Sequence, residues 1–549
     1  MTYDVDVVVV GAGAGGGVAA SVLAESGKSV FLVERGRKRN YADSGHRDHL
    51  RNHRLQRYGI NTGPDLEGNP RVCLDPEGTA QVVRAHDESY HGNAAAVGGG
   101  TLVYGGLAWR FHPDDFRMAS RYGVPPGSSL TDWPIAYTDL EPWYSRAEWE
   151  IGVAGQAGAN PHEGPRTRAY PMPPVPVARS TAILRAGAEI LGLATFAPPL
   201  LINTVRRDGR AVCIRCGSCV GFPCPSDAKN GTQNTVIPRA LRSGLCALMT
   251  GTTVERIAVD NLGHVIGVDL VSAAPSGEQM RRQIRARAVV LAAGAIETAR
   301  LLLLSASARE PYGLGNSHDL VGRNLQGHVY PTSFGLFEEP IQDSSGPGVS
   351  IATCDYNHGN PGVIGGAMLA DDFVMLPIIF WKWALPEDVP RFGIDAKRFM
   401  RDNFRRVVQV KGPVQEIPVP DSRVTLDRHV RDRYGCAVVR LSGAVHPETL
   451  RTAAFIRAKA APWLQASGAT KTWSPAIPGG LSAGQHQAGT CRMGEDPRVS
   501  VTDPFGRVWG HENLFVMDAS VHPTNGGYNP VLTIMALAYR NATALASRV

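Results

Sequence analysis

Three short stretches of the 549-residue chain have residue types and spacings that could do chemistry. The first is Gly11-Ala-Gly13-Ala-Gly-Gly16, a G-x-G-x-x-G run. In a dinucleotide fold the first glycine permits the tight turn, the second lets main chain approach a pyrophosphate, and the third packs helix against strand. Glu34, about 20 residues further on, is placed to accept hydrogen bonds from ribose hydroxyls. The second stretch, His486-Gln-Ala-Gly-Thr-Cys-Arg-Met-Gly494, is a loop of mostly small residues around one histidine. Taken alone, such a histidine is more often structural or surface than catalytic. The third is Cys213-x-x-Cys216-x-x-Cys219-x4-Cys224-Pro225, whose last spacing is four residues. It is close to the iron–sulfur run of bacterial ferredoxins, which has about three there. An iron–sulfur cluster, a structural zinc, and thiols with or without one disulfide compete as readings.

The elements that must hold these stretches surround them. Residues 6–10 are a short apolar run, suited to a strand buried on both faces of a parallel sheet. The glycines lead into 18–23 at helical spacing and then into a second strand, 29–33, ending at Glu34. This is a βαβ unit whose helix N-terminus offers free N–H groups and a positive dipole end to phosphates. Residues 252–259, 265–270 and 281–287 alternate between Gly and Ser-Gly turns, which predicts a three-stranded antiparallel meander. A buried strand, 288–292, then runs to Gly294 and a helix over 295–304; this turn would complete a cofactor crevice or be an ordinary βα turn. Near the C-terminus, 514–517 form a strand ending in Asp518. Asn529-Pro530 opens a helix over 531–546, with Pro530 suited to its first turn. Asn529 thus sits at a helix N-terminus, where negative charge developing on a bound ring is stabilised.

The length exceeds one ordinary domain, so two cores, consecutive or intertwined, are expected. The 56 basic and 50 acidic residues leave a net charge of +6, small for this length and without long basic runs. That balance argues against nucleic acid as a partner. The apolar run 7–10 is too short for a signal sequence or membrane span, and 288–304 is broken by Glu297 and Arg300. Nine cysteines, four of them crowded together, do not match a secreted disulfide framework. A soluble cytoplasmic protein with no membrane partner is the expectation. Cys73, Cys246, Cys354, Cys436 and Cys491 have no metal-like spacing and read as ordinary small buried residues.

In order along the chain, these blocks resemble the glucose–methanol–choline (GMC) family of FAD-dependent oxidoreductases, nearly end to end. The fingerprint with Glu34 is joined by Val97-Gly-Gly-Gly-Thr-Leu-Val-Tyr-Gly-Gly106, Trp109-Arg110, and Trp133-Pro-Ile with Tyr137. Gly294-Ala-Ile-Glu-Thr-Ala-Arg300 is similar to the family's second signature. Gly322-Arg-Asn-Leu325, the His486 loop, Asp518-x-Ser520 and Asn529-Pro530 complete the series. The resemblance implies an α/β fold: a Rossmann-like FAD-binding domain interleaved with an α+β substrate-binding domain. The glycine fingerprint alone does not separate FAD from NAD; the resemblance implies FAD.

The same resemblance implies His486 as general base at the flavin face. Asn529 matches the second active-site position, which is His in some members and Asn in sterol, choline and pyranose oxidases. Such chemistry needs a pair: a hydride leaves the carbinol carbon for flavin N5 while the hydroxyl proton goes to a base. An imidazole has an unperturbed pKa near neutrality, and an amide donates to the alkoxide oxygen without competing for the proton. Gly99, Gly100 and Val103 are implied to face the isoalloxazine, and Val254 to meet the adenine through its main chain. Gly11, Gly13, Gly16, Glu34, Gly294, Asp518, Asn529 and Pro530 complete the implied cofactor site. In pyranose and choline oxidases the residue matching Val103 is a histidine bonded covalently to FAD, so valine implies a non-covalent flavin. Tyr104 stands where Asn is more usual.

Residues 1–160, 200–330 and 481–549 hold every cofactor block and are expected to build the FAD domain. Residues 161–199 and 331–480 are expected to build the substrate domain. There Phe373, Phe380, Trp381, Trp383 and Phe392 are either sugar-stacking faces or a core aromatic cluster. Residues 41–91, without periodicity, read as a lid or a surface excursion. The run from Tyr104 to Phe111 and the Cys-rich stretch are similar to bacterial members acting on carbohydrates, among them pyranose oxidases, C-glycoside oxidases and aminoglycoside-pathway dehydrogenases. The implied reaction is oxidation of a sugar or glycoside secondary hydroxyl to a ketone, with O2 or an artificial or protein acceptor reoxidising the flavin. The alternatives are an iron–sulfur flavodehydrogenase using Cys213, Cys216, Cys219 and Cys224, an aminoglycoside or sterol oxidoreductase, and a lyase of flavin fold.

Overall fold

Val7, Val8 and Val9 are fully buried, so the N-terminal apolar run is a central strand rather than an edge. The structure is a computed structural model and describes residues 3–43, 62–75, 77–85, 87–274, 276–372, 375 and 377–549. Among the described residues the strands are β1 (Val5–Val10), β2 (Val30–Glu34), β3 (Arg71–Leu74), β4 (Ala80–Val83), β5 (Cys246–Thr250), β6 (Thr252–Val259), β7 (Val265–Ala273), β8 (Gln279–Leu291), β9 (Thr332–Leu336), β10 (Ala352–Thr353), β11 (Leu369–Asp371), β12 (Val407–Lys411), β13 (Arg423–Arg431), β14 (Ala437–Ser442), β15 (Lys471–Trp473) and β16 (Leu514–Val516). Three helices bear on the site: α1 (Ala14–Glu25), α2 (Ala295–Leu304) and α3 (Val531–Ala546).

The strands form three sheets. In the seven-stranded sheet, β5, β2, β1, β8 and β16 run parallel. The predicted strands 281–287 and 288–292 are one continuous 13-residue strand, β8. Its first half pairs antiparallel with β7 and is mostly exposed; from Ala286 on it pairs parallel with β1 and is mostly buried. The change of environment midway gave the sequence two different patterns within one element.

A five-stranded antiparallel sheet, ordered β10-β11-β12-β9-β15, backs onto the helices Arg179–Ile190 and Pro447–Ala466. Leu184, Ile351, Leu369, Val408, Ile456 and Trp463 fill that interface as a core separate from the main one. The third sheet is ordered β13-β14-β3-β4. Its members β13 and β14 lie within the stretch expected over the substrate, yet Val424, Val439 and Leu441 bury in the same core as Leu301 and Leu302 of α2. The hairpin β3–β4 lies within 41–91, where sequence showed no periodicity. The rest of that lid expectation, at 44–61, 76 and 86, lies outside the described residues. Of the aromatic group, Phe380 is core and stacks on Phe399 with centroids 6.0 Å apart. Trp383 lines a cavity, Trp381 and Phe392 are exposed, and Phe373 lies outside the described residues.

Candidate active site

The glycine fingerprint is a set of forced contacts around one gap. Gly11 has φ +100°, and a Cβ there would sit 2.4 Å from the Ala292 carbonyl oxygen. A Cβ on Gly16 would lie 1.9 Å from the Gly11 oxygen, so α1 rests directly on the turn. A Cβ on Gly13 would meet no protein atom within 4 Å. The space in front of it opens into a cavity of about 300 Å³. Gly99 closes over this point: a Cβ there would come 2.9 Å from the Gly13 Cα.

Three helices begin at this cavity. The N-caps of α1, α2 and α3 are Gly13, Gly294 and Pro530, and none has a side-chain capping hydrogen bond. Their first-turn amides and dipole ends are left for a ligand. The one acid in these first turns, Glu297, is ion-paired with Arg71 at 2.6 Å and with Arg35 and Arg300 at 3.4 Å. Burial favours its neutral form, but the three guanidiniums override this and hold the carboxyl well below its ordinary range.

Glu34 and Asp518 stand at the tips of β2 and β16. The Glu34 carboxylate accepts from the amides of Ala12 at 2.9 Å and Gly36 at 2.8 Å. Asp518 accepts from the Gly294 amide at 2.9 Å and the Thr298 hydroxyl at 2.6 Å, tying β16 to the start of α2. Burial pushes both pKa values up despite these donors. Gly11, Gly13, Glu34, Gly99, Gly100, Val254, Gly294, His486, Asp518, Asn529 and Pro530 all line the one cavity. Gly16 lies behind the turn, and Val103 is buried with Ala96 and Leu102 instead of facing the cavity.

The far end of the cavity is made of side chains. His486 has φ +55°, and its carbonyl oxygen accepts from Asn525 Nδ2 at 2.6 Å. Its Nδ1 lies 2.8 Å from His328 Nδ1 and 3.3 Å from the Tyr330 hydroxyl. Its Nε2 lies 3.4 Å from Asn529 Nδ2, which also donates to the Tyr330 hydroxyl at 3.2 Å. Asn529 Oδ1 is buried and has no partner among the described residues. Tyr330 and Val220 separate this cavity from a second one of about 640 Å³, lined also by Lys382, Trp383, Lys411 and Trp473. Lys411 is paired with Asp372 at 2.7 Å and lies 5.2 Å from the Tyr330 ring centroid.

Sequence reasoning missed His328 and Tyr330. They follow the Gly322-Arg-Asn-Leu325 block by a few residues, two apart, the spacing that puts side chains on one face of extended chain. Only two such residues precede β9, too few to stand out as a pattern.

The four clustered cysteines border a separate small cleft with Lys229 and Pro347, and all four are free thiols. Burial pushes Cys219 up to about 12, against the pull of the nearby Lys229. Among the described residues no group of three or more His, Cys, Asp or Glu could hold a metal ion. What the geometry shows here is a structural tie. Lys229 Nζ donates to the carbonyls of Tyr104 and Phe222, each at 2.9 Å, and the Gly221 amide donates to the Val103 carbonyl at 2.7 Å. Tyr104 donates through its hydroxyl to the Asn230 carbonyl. Cys246, Cys354 and Cys491 are buried, while Cys73 and Cys436 are half-buried.

A glycine cradle with three open helix ends, running to an imidazole beside an amide, defines an α/β oxidoreductase that binds a redox dinucleotide. Models of the GMC oxidoreductase family match residues 6–330 and 418–538, and the chain belongs to that family. It is similar to 6'''-hydroxyparomomycin C oxidase of Streptomyces lividus, with 31% identity over 99% of this chain and 92% of that protein. It is also similar to the fructose dehydrogenase large subunit of Gluconobacter japonicus, with 26% identity over 99% of this chain and 98% of the relative. Pyridoxine 4-oxidase from Mesorbium loti has the same fold, with a TM-score of 0.59, 18% identity and 98% coverage of both chains. GMC oxidoreductases bind FAD. The gap before Gly13, the uncapped helix starts and the partnerless Asn529 Oδ1 fit such a ligand. No helix among the described residues is long and apolar enough to cross a membrane.

Proposed function

We propose that the chain oxidises a secondary hydroxyl of a sugar or glycoside to a ketone, with non-covalent FAD. The observation that carries this reading is the His486–Asn529 pair, 3.4 Å apart on the wall of the cradle cavity, close to Tyr330 at the boundary of the second cavity. The relatives' names, one an aminoglycoside oxidase and one a fructose dehydrogenase, support a carbohydrate substrate entering from that side. Residues 1–160, 200–330 and 481–549 hold the cofactor, with β13 and β14 packed on them; 161–199 and the rest of 331–480 meet the substrate.

When bound, FAD supplies the acceptor for the hydride of the carbinol C–H. His486 takes the hydroxyl proton at Nε2, and Asn529 Nδ2 donates to the oxygen as charge builds on it. Gly11, Gly13, Gly99 and Gly100 let main chain approach the cofactor. Glu34 and Val254 would stand toward its adenosine, and Gly294, Asp518 and Pro530 would complete its site. O2 or a protein or artificial acceptor takes the electrons afterwards, in the cytoplasm, without nucleic acid or membrane.

The test is an anaerobic absorbance spectrum of the purified protein before and after a panel of sugars, glycosides and simple alcohols. Bleaching of flavin bands by sugars or glycosides, reversed by air, is the expected result. Bleaching that air does not reverse, over an iron–sulfur background, would transfer the reading to a dehydrogenase with the Cys213–Cys224 stretch as its relay. Bleaching by simple alcohols alone would remove the carbohydrate assignment.

A further inference from the structure

A neutral imidazole accepts a proton only at the ring nitrogen that carries no hydrogen, so the tautomer of His486 decides whether it can act toward the cavity. Its Nε2 faces Asn529 Nδ2 on the cavity side, and its Nδ1 faces inward to His328 Nδ1 at 2.8 Å. In that inner contact one nitrogen must donate and the other accept. The other side of the His328 ring settles which. His328 Nε2 lies 2.8 Å from the carbonyl oxygen of Gly526, and a carbonyl can only accept. His328 Nε2 therefore carries a hydrogen. Burial lowers the pKa of this ring to about 4, so at neutral pH it is uncharged and its Nδ1 has a lone pair. His486 Nδ1 must then be the donor, which leaves the lone pair on its Nε2, facing the N–H of Asn529. The opposite arrangement sets a nitrogen lone pair against the Gly526 oxygen at 2.8 Å and two N–H groups against each other across the 3.4 Å contact. The Tyr330 hydroxyl, at 3.3 Å from His486 Nδ1, is compatible with the first arrangement as a second, weaker acceptor.

We infer that His328 is a positioning residue that fixes His486 in its Nδ1–H tautomer and so presents the basic nitrogen to the substrate hydroxyl. The inference rests on His486 being the base. The balance of the step is simple: the substrate O–H bond breaks, an N–H bond forms at His486 Nε2, and the resulting imidazolium keeps donating from Nδ1 to His328. The proton goes no further along this line, because the Gly526 carbonyl cannot take the hydrogen of His328 Nε2. His328 orients and steadies the base and does not conduct.

The experiment uses FAD-loaded protein labelled with 15N-histidine, as wild type, His328→Leu, His328→Asn and His486→Ala. His486→Ala identifies the His486 signals by their loss. In the wild type they should show hydrogen on Nδ1 and a bare Nε2. In His328→Leu, which leaves only the weaker Tyr330 acceptor, they should shift toward hydrogen on Nε2, and anaerobic flavin reduction should fall by about 10²-fold, within the range a general base contributes. In His328→Asn the amide oxygen can accept from Nδ1–H, so both the Nδ1–H pattern and most of the rate should return. A wild-type His486 protonated on Nε2 overturns the inference whether or not any variant folds. So does a His328→Leu protein with unchanged tautomer and rate, or a folded His328→Asn protein that restores neither. Near-normal reduction by His486→Ala would instead remove His486 as the base, a separate failure.

Discussion

At the dinucleotide end of the cavity the wall is main chain; at the other end it is side chain. The first consists of glycines where a Cβ is excluded or would face only open space, and of the uncapped starts of α1 and α2. The second consists of His328, Tyr330, His486 and Asn529, brought together from three separate parts of the sequence. The difference teaches where each kind of chemistry comes from. Phosphate binding needs only amides and room, which a local turn supplies. Proton transfer needs ring nitrogens held in one orientation, which only tertiary packing supplies.

The sharpest way to break this comparison is within the fingerprint itself. Gly13→Asp adds a Cβ that no protein atom approaches within 4 Å, at the mouth of the cavity, so the chain should fold with an unchanged melting temperature as apoprotein. The added carboxylate occupies the phosphate space and opposes its charge, so FAD binding and all activity should vanish. Gly16→Ala should do the reverse. Its Cβ meets the Gly11 oxygen at 1.9 Å, an overpacking that costs about 1–3 kcal/mol and shows first in thermal unfolding. If both variants lose stability alike, the gap before Gly13 is packing space and not a ligand cradle.

At the reactive end the next largest effect is expected from His486→Ala. It should retain the bound-flavin spectrum while anaerobic flavin reduction by substrate falls by about 10²–10⁴-fold. Asn529→Ala should follow at about 10²–10³-fold, as expected for losing one donor to a developing oxyanion. Stopped-flow absorbance reads both. A variant that loses flavin together with rate would merge the two ends into one.

The same contrast explains what could be seen in the sequence. Gly11, Gly13, Glu34, Gly294 and Asp518 were legible because each lies at the tip of a strand whose own pattern is strong. α2 was legible to the residue for the same reason, and α3 from Pro530 just before it. Strand β8 was split because half of it leaves the sheet core and the pattern changes with it. His328 and Tyr330 were invisible because their meaning lies in a contact more than 150 residues away, with His486. The cysteine stretch left thiols, zinc and an iron–sulfur cluster open. Its spacing resembles a metal site, but its fold role is carried by Lys229 and the carbonyls it gathers.

At the reactive end, pH acts most directly through Glu416. Its carboxylate is fully buried and accepts from the Gly327 amide at 2.9 Å and from the Ser482 hydroxyl. It thus links the segment just before His328 to the loop just before His486. Burial pushes its pKa from 4.5 up to about 7, overcoming both donors. The folded state therefore holds a proton here that the unfolded chain gives up above pH 4.5. Its contribution to stability is fully present below pH 4.5 and is lost as pH rises through 7, by about 3 kcal/mol in all. Glu416→Gln keeps an oxygen for both donors and removes the charge. It should match the wild type near pH 4.5, melt higher than the wild type at pH 8, and change flavin reduction less than either His486→Ala or Asn529→Ala. Thermal unfolding of the two proteins across pH 4.5–8 decides it. Parallel curves would mean that Glu416 is ionised throughout, with its two donors outweighing burial.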